Sequence, residues 1–107
     1  MIPQEPFRKA FDDTHIRIKR RQEKSTAFGG RTEFKSLVFE GKVNAQKREK
    51  ELRKLVEQGV EADVILYANT DTGAQIQDEV EFVGTEQMGE IVQTDLFTNK
   101  LVVKLVG

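Results

Sequence analysis

A chain of 107 residues suffices for one thin-cored domain and is short for two. Hydrophobic residues are 37% of it and charged residues 33%, with mean hydropathy −0.52, so seven Phe and no Trp must supply much of the core volume. The lack of Cys excludes disulfides and thiolate metal sites, and seventeen basic against eighteen acidic residues leave a net charge of −1, which argues against a polyanion binder by charge alone.

Residues 1–13 read as an N-terminal arm. Pro3 and Pro6 forbid a regular helix and push Ile2 and Glu5 toward extended geometry. The segment has no apolar signal core, so no secretory leader is expected, and the apolar runs of the chain are too short to span a membrane. "THIRIKR" (14–20) then alternates, with Ile16 and Ile18 on one face and His15, Arg17 and Lys19 on the other, which predicts a half-buried strand. "RQEKSTAFGGRT" follows without periodicity, and Gly29-Gly30 predicts a turn or flexible loop.

Alternation resumes in "EFKSLVFEGKVN" (33–44), with Leu37, Phe39 and Val43 expected on one face and Gly41 as the mark of a bulge. Ala45 to Gln58 is a different kind of segment, in which eight of fourteen residues are charged and most are good helix formers. Glu49 to Arg53 and Glu51 to Lys54 have supporting spacing, Asn44 is placed to cap the start, and Gly59 to end the helix. Its apolar stripe is only Leu52, Leu55 and Val56, so the C-terminal end is the anchored one. The segment is either a solvated crossover or an excursion that projects toward a partner or a nucleic acid.

"VEADVILYANT" (60–70) predicts a strand closed by the turn cluster "NTDTG", and "DEVEFVG" (78–84) one with Val80 and Phe82 inward and Glu79 and Glu81 outward. "EIVQTDLF" (90–97) and "LVVKLV" (101–106) flank the polar Thr98-Asn99-Lys100 as a hairpin. Six strands and one helix imply a mainly β, α+β chain: a small antiparallel barrel or sandwich-like sheet at 14–44 and 60–107, with a charged helical insertion at 45–58. The last strand carries apolar residues on both faces. Leu101, Val103 and Leu105 suit the core, while Val102 and Val106 would meet another surface: a subunit or the helix.

Reactive chemistry is sparse. His15 is the lone histidine, so neither a nucleophilic triad nor a His-based metal site can be assembled within one chain. The acidic residues flank predicted strands and alternate outward, Gly29-Gly30 lies in no phosphate-binding pattern, and "NTDTGAQIQDE" does not match a calcium loop. No enzyme activity and no cofactor are expected. Arg17, Lys19, Arg20 and Arg21 form a basic strand, and a small barrel can bind nucleic acid through such a face.

The order of these pieces resembles a known family. "MIPQEP", a Gly-bearing loop "STAFGGRTEF", a long middle insertion ending in "ADVILYANT", then "DEVEFVG", "EIVQTDLF" and a closing strand are similar to the small minor capsid proteins of tailed bacteriophages, the head-tail connector or head-closure (stopper) group. Phe28 stands where that group often has Trp, and Met88-Gly89-Glu90 where it commonly has an aromatic residue. The resemblance implies a virion structural protein that forms a homo-oligomeric ring below the portal, contacts adaptor and tail proteins, and is assembled in the host bacterial cytoplasm. Under that reading Lys47, Arg48 and Lys50 would face packaged DNA in the channel, and Val102 and Val106 would touch a neighbouring subunit.

Overall fold

The computed structural model describes residues 14–106; the predicted arm at 1–13 lies outside them. Six strands appear in chain order: β1 (Thr14–Ser25), β2 (Arg31–Gln46), β3 (Val64–Tyr67), β4 (Glu79–Phe82), β5 (Met88–Asp95) and β6 (Lys100–Val106), with helix α1 (Glu49–Glu57) between β2 and β3. All pairings are antiparallel, and the strands close in the order β1-β2-β3-β6-β5-β4. The chain is thus the expected small antiparallel barrel with one helix among the described residues.

Alternation fills the barrel. Ile16 and Ile18 of β1, Val43 of β2, Val64 and Leu66 of β3, Val80 of β4, Ile91 of β5, and Leu101 and Val103 of β6 form one buried cluster. Each such side chain contributes about 1.5–3 kcal/mol of burial, which is how so polar a chain supports a core. Gly89 of β5 faces the same interior, where a Cβ would fall 2.5 Å from Val103 Cγ1. Only a residue without a side chain fits between those strands.

Two bulges break the alternation. In β2 the register slips between the pairs Ile18↔Phe39 and Lys19↔Leu37, leaving Val38 as the extra residue. Val38 and Phe39 both lean on the core, and Leu37 turns outward to 58% exposure. That corrects the expectation that Leu37 shares a face with Phe39 and Val43, and the bulge lies earlier than Gly41. The second slip falls between Ile91 and Gln93 of β5.

The connection from β3 to β4 cannot be a hairpin, because β3 lies between β2 and β6 while β4 lies between β1 and β5. Residues 68–78 therefore cross one end of the barrel. Ala74 joins the core cluster there and Thr72 is buried beside it. Short local bonds shape the crossing: Asp71 Oδ1 accepts from the Gly73 N–H at 2.9 Å, and Thr72 Oγ1 from the Ala74 N–H at 3.2 Å. Asp78 locks it. Its carboxylate, 4% exposed, accepts two bonds from the Arg20 guanidinium at 3.0 Å each and one from the Gln75 N–H at 2.8 Å. Arg20 also donates to the Gly73 carbonyl at 2.9 Å. It follows Ile16 and Ile18 as the third inward-facing residue of β1, so a basic side chain closes the barrel end.

Helix α1 is shorter than the expected 45–58 because β2 runs on to Gln46, with Asn44 still paired to Tyr67 in the sheet rather than capping. Its C-terminus behaves as expected. Gly59 adopts φ +85°, its N–H bonds the Val56 carbonyl at 2.9 Å, and the Val60 N–H bonds the Leu55 carbonyl at 2.7 Å, which together satisfy the last carbonyls. The helix buries no side chain completely, and Glu51 reaches across to Lys100 of β6 at 3.8 Å.

Candidate functional site

The largest departure from the sequence pattern is also the most prominent surface feature. β1 continues past Arg20 to Ser25 and β2 begins at Arg31, so the aperiodic stretch is a two-stranded ribbon in continuous register from Lys19↔Leu37 to Ser25↔Arg31. β1 pairs with β4 only as far as Lys19, and residues 21–35 are all exposed. The ribbon leaves the barrel beside the Arg20–Asp78 closure. Its tip is a tight turn in which the Thr26 N–H donates to the Gly30 carbonyl at 2.8 Å, the Gly29 N–H to the Thr26 carbonyl at 3.1 Å, and Gly29 takes φ +79°. Phe28 crowns the turn with its side chain 100% exposed.

A strand with no buried face leaves no period-two signal, which is why the ribbon is illegible in "RQEKSTAFGGRT" apart from its glycine turn. Its faces follow from the register. One carries Lys19, Arg21, Glu23, Arg31, Glu33, Lys35 and Leu37; the other carries Gln22, Lys24, Thr32 and Phe34. Where the ribbon meets the barrel, a groove of about 760 Å³ opens between Arg21 and Lys35 on one side and Ile76, Glu79, Met88 and Val106 on the other. Lys35 bridges its base by donating to Glu79 at 2.9 Å.

The basic face expected on β1 is compensated by its neighbours. Arg17 donates to Glu40 at 3.0 Å and approaches Glu81 at 3.9 Å, Lys19 reaches Glu81 at 3.3 Å, and Arg20 is held by Asp78. His15 also bonds Glu40, at 3.0 Å. The bonds from Arg17, then His15, hold the Glu40 carboxyl below the usual carboxylate range. Of the four candidate residues on β1, only Arg21 stands without an ionic partner among the described residues. These strands form a cross-strand charge ladder rather than an open cationic face.

Lys47, Arg48 and Lys50 are brought together where β2 passes into α1, and all three are exposed. Arg48 is engaged: its guanidinium lies 5.4 Å from the centre of the Tyr67 ring, pairs with Glu51 at 3.6 Å, and donates to Gln46 Oε1. Burial pushes the Tyr67 phenol up. Arg48 thereby fastens the helix start to β3, while Lys47 and Lys50 project without an ion pair among the described residues. Val102 and Val106 separate. Val102 sits on the opposite face of β6 from Leu101 and Val103 and is 0% exposed, so it has no surface to offer a subunit; Val106 is 58% exposed at the groove. Ile65, directly across from Val102, is sealed in the same way.

No family model matches the chain, and no curated protein or solved structure is similar to it.

Among the described residues no group of three or more His, Asp or Glu side chains is placed to hold a metal ion, and no helix is long and apolar enough to cross a membrane. Exposed apolar residues concentrate instead at three points: the ribbon (Phe28, Phe34, Leu37), the β5–β6 turn (Leu96, Phe97) and the groove (Ile76, Val106).

Proposed function

We propose that this chain is a structural protein of a tailed-bacteriophage virion, a head-tail connector or head-closure component that assembles as a ring below the portal. The observation that supports it is the ribbon. A two-stranded ribbon with water on both sides is marginal by itself, so one that extends from a closed barrel and ends on a fully exposed Phe28 makes physical sense as a part covered by neighbours. In the ring, the ribbon and the β5–β6 turn contact adjacent subunits and the rings above and below. Lys47 and Lys50, exposed cations at the entry to the helix, face the DNA channel, and Arg48 keeps that helix start in place.

Gene order and imaging test this. A portal or major-capsid gene immediately upstream, and labelled protein found at the collar of tailed particles, are the expected results; a solitary gene and particles lacking the protein overturn the reading. Within the assembly, replacing Lys47, Arg48 and Lys50 by Glu is expected to lower the fraction of DNA-filled heads, and unchanged filling removes the channel role.

The competing reading, a small nucleic-acid-binding barrel that uses Arg17, Lys19, Arg20 and Arg21, is disfavoured because Glu40, Glu81 and Asp78 already take three of those cations. Sub-micromolar binding of a DNA or RNA duplex by the isolated chain, with a steep salt slope, would reinstate it.

A further inference from the structure

The rows of charge across the ribbon are arranged against its own stability. In the continuous register, Arg21 stands directly opposite Lys35 and, one row further out on the same face, Glu23 stands directly opposite Glu33. Like charges in directly opposed positions are destabilising. Two of the four find relief elsewhere: Lys35 donates to Glu79, and Glu23 meets Arg31 at 3.7 Å. Arg21 and Glu33 pair with nothing among the described residues, although both are exposed.

A positive row next to a negative row is self-complementary. We propose that two copies of this chain associate ribbon to ribbon about a two-fold axis, the outer faces packed antiparallel so that the Arg21·Lys35 row of each copy lies over the Glu23·Glu33 row of the other. A two-fold axis midway between the rows sets Arg21 of one copy over Glu23 of the other and Lys35 over Glu33, so every charge of the two rows faces its complement and the contact is isologous. Rows on one face are roughly 7 Å apart. That spacing sets the Ser25·Arg31 row of one copy over the Lys19·Leu37 row of the other, so the Arg31 stem covers the exposed Leu37. The turn then reaches one row further toward the barrel. There the exposed Phe28 meets the partner's groove, where Met88 and Val106, opposite each other on β5 and β6, offer the apolar surface. Phe28, Val106 and the uncompensated pair, three otherwise unrelated features, are used by one contact.

The face is small, so a dissociation constant on the order of 100 µM is expected. Sedimentation of the full chain from about 10 µM to about 1 mM brackets that value. Dimers are expected at low salt, with affinity falling several-fold as salt rises from about 50 mM to about 500 mM, because the paired rows are solvent-accessible. Arg21→Glu sets acid over acid where the β1 strands of the two copies meet and Glu23→Arg sets base over base; each variant alone is expected to be monomeric. Mixed in equal amounts they are expected to form a one-to-one heterodimer, which misfolded chains could not do. Phe28→Ala is expected to weaken wild-type association about tenfold.

A wild-type chain monomeric at every concentration overturns the proposal. So do single variants that dimerise as before, a mixture that stays monomeric, an unchanged constant for Phe28→Ala, or Arg21-dependent binding of duplex DNA without self-association. None of these outcomes bears on the particle assignment, which gene order and imaging decide.

Discussion

Replacing Arg20 by Met tests how the barrel end is held shut. The substitution keeps most of the aliphatic stem and removes the guanidinium that donates two 3.0 Å bonds to Asp78 and one 2.9 Å bond to the Gly73 carbonyl. The two partners differ in exposure: the Asp78 side chain is 4% exposed and that of Arg20 is 29%. Removing Arg20 therefore strands a carboxylate away from water, whereas removing Asp78 leaves a guanidinium that can turn outward. Breaking a fully buried pair from one side costs roughly 3–5 kcal/mol. With Arg20 partly hydrated and the Gln75 N–H still bonded to Asp78, about 3 kcal/mol is expected for Arg20→Met and about 2 kcal/mol for Asp78→Leu. The double variant should lose less than the two together, because neither leaves the other unpaired. Urea unfolding followed by circular dichroism measures all three, and in a thermal scan the Arg20→Met midpoint should fall by more than 10 °C, at roughly 4–8 °C per kcal/mol for a chain this size. A loss below about 1 kcal/mol, or strictly additive effects, would refute the closure described here.

Other outcomes follow from the same geometry. Gly89→Ala puts a methyl 2.5 Å from Val103 Cγ1 and should cost about 1–3 kcal/mol in the same unfolding assay. Gly59→Ala, at φ +85°, is expected to lose about 1 kcal/mol with no change in barrel content by circular dichroism. The Glu40 carboxyl titrates lower in the folded chain than in the unfolded one because Arg17 and His15 bond its ionised form. Its contribution is thus present above the unfolded carboxylate value and is lost as pH falls through the lower folded value; Glu40→Gln should flatten the acid limb of a stability–pH profile, and an unaltered limb would deny Glu40 that role. Phe28→Ser, at a site without buried contacts, should leave the unfolding free energy within about 0.5 kcal/mol of wild type.

Much of the barrel was legible because strand alternation is local. Ile16 and Ile18 against Arg17 and Lys19, or Val80 and Phe82 against Glu79 and Glu81, declare an inside and an outside within a few residues, and such segments leave little choice but a closed or layered sheet. The helix end was legible for the same reason, since Gly59 acts only on its own last turn. Resemblance to a phage family supplied the functional expectation, and the interaction residues it suggested fared unevenly: Lys47, Lys50 and Val106 are exposed, Arg48 is committed to Tyr67 and Glu51, and Val102 is buried.

Composition and periodicity alone determined that this protein is a small, Cys-free, mainly β chain, with six strands and one charged helix among the described residues. Which strands adjoin, where β2 slips register to expel Leu37, that residues 68–78 cross the barrel end under an Arg20–Asp78 clasp, and that a seemingly shapeless stretch is a long ribbon were decided only in three dimensions. Periodicity records whether a residue's own element has a buried side. Pairing partners, bulges and the charges met across strands depend on residues far apart in the chain, so they exist only once the barrel closes.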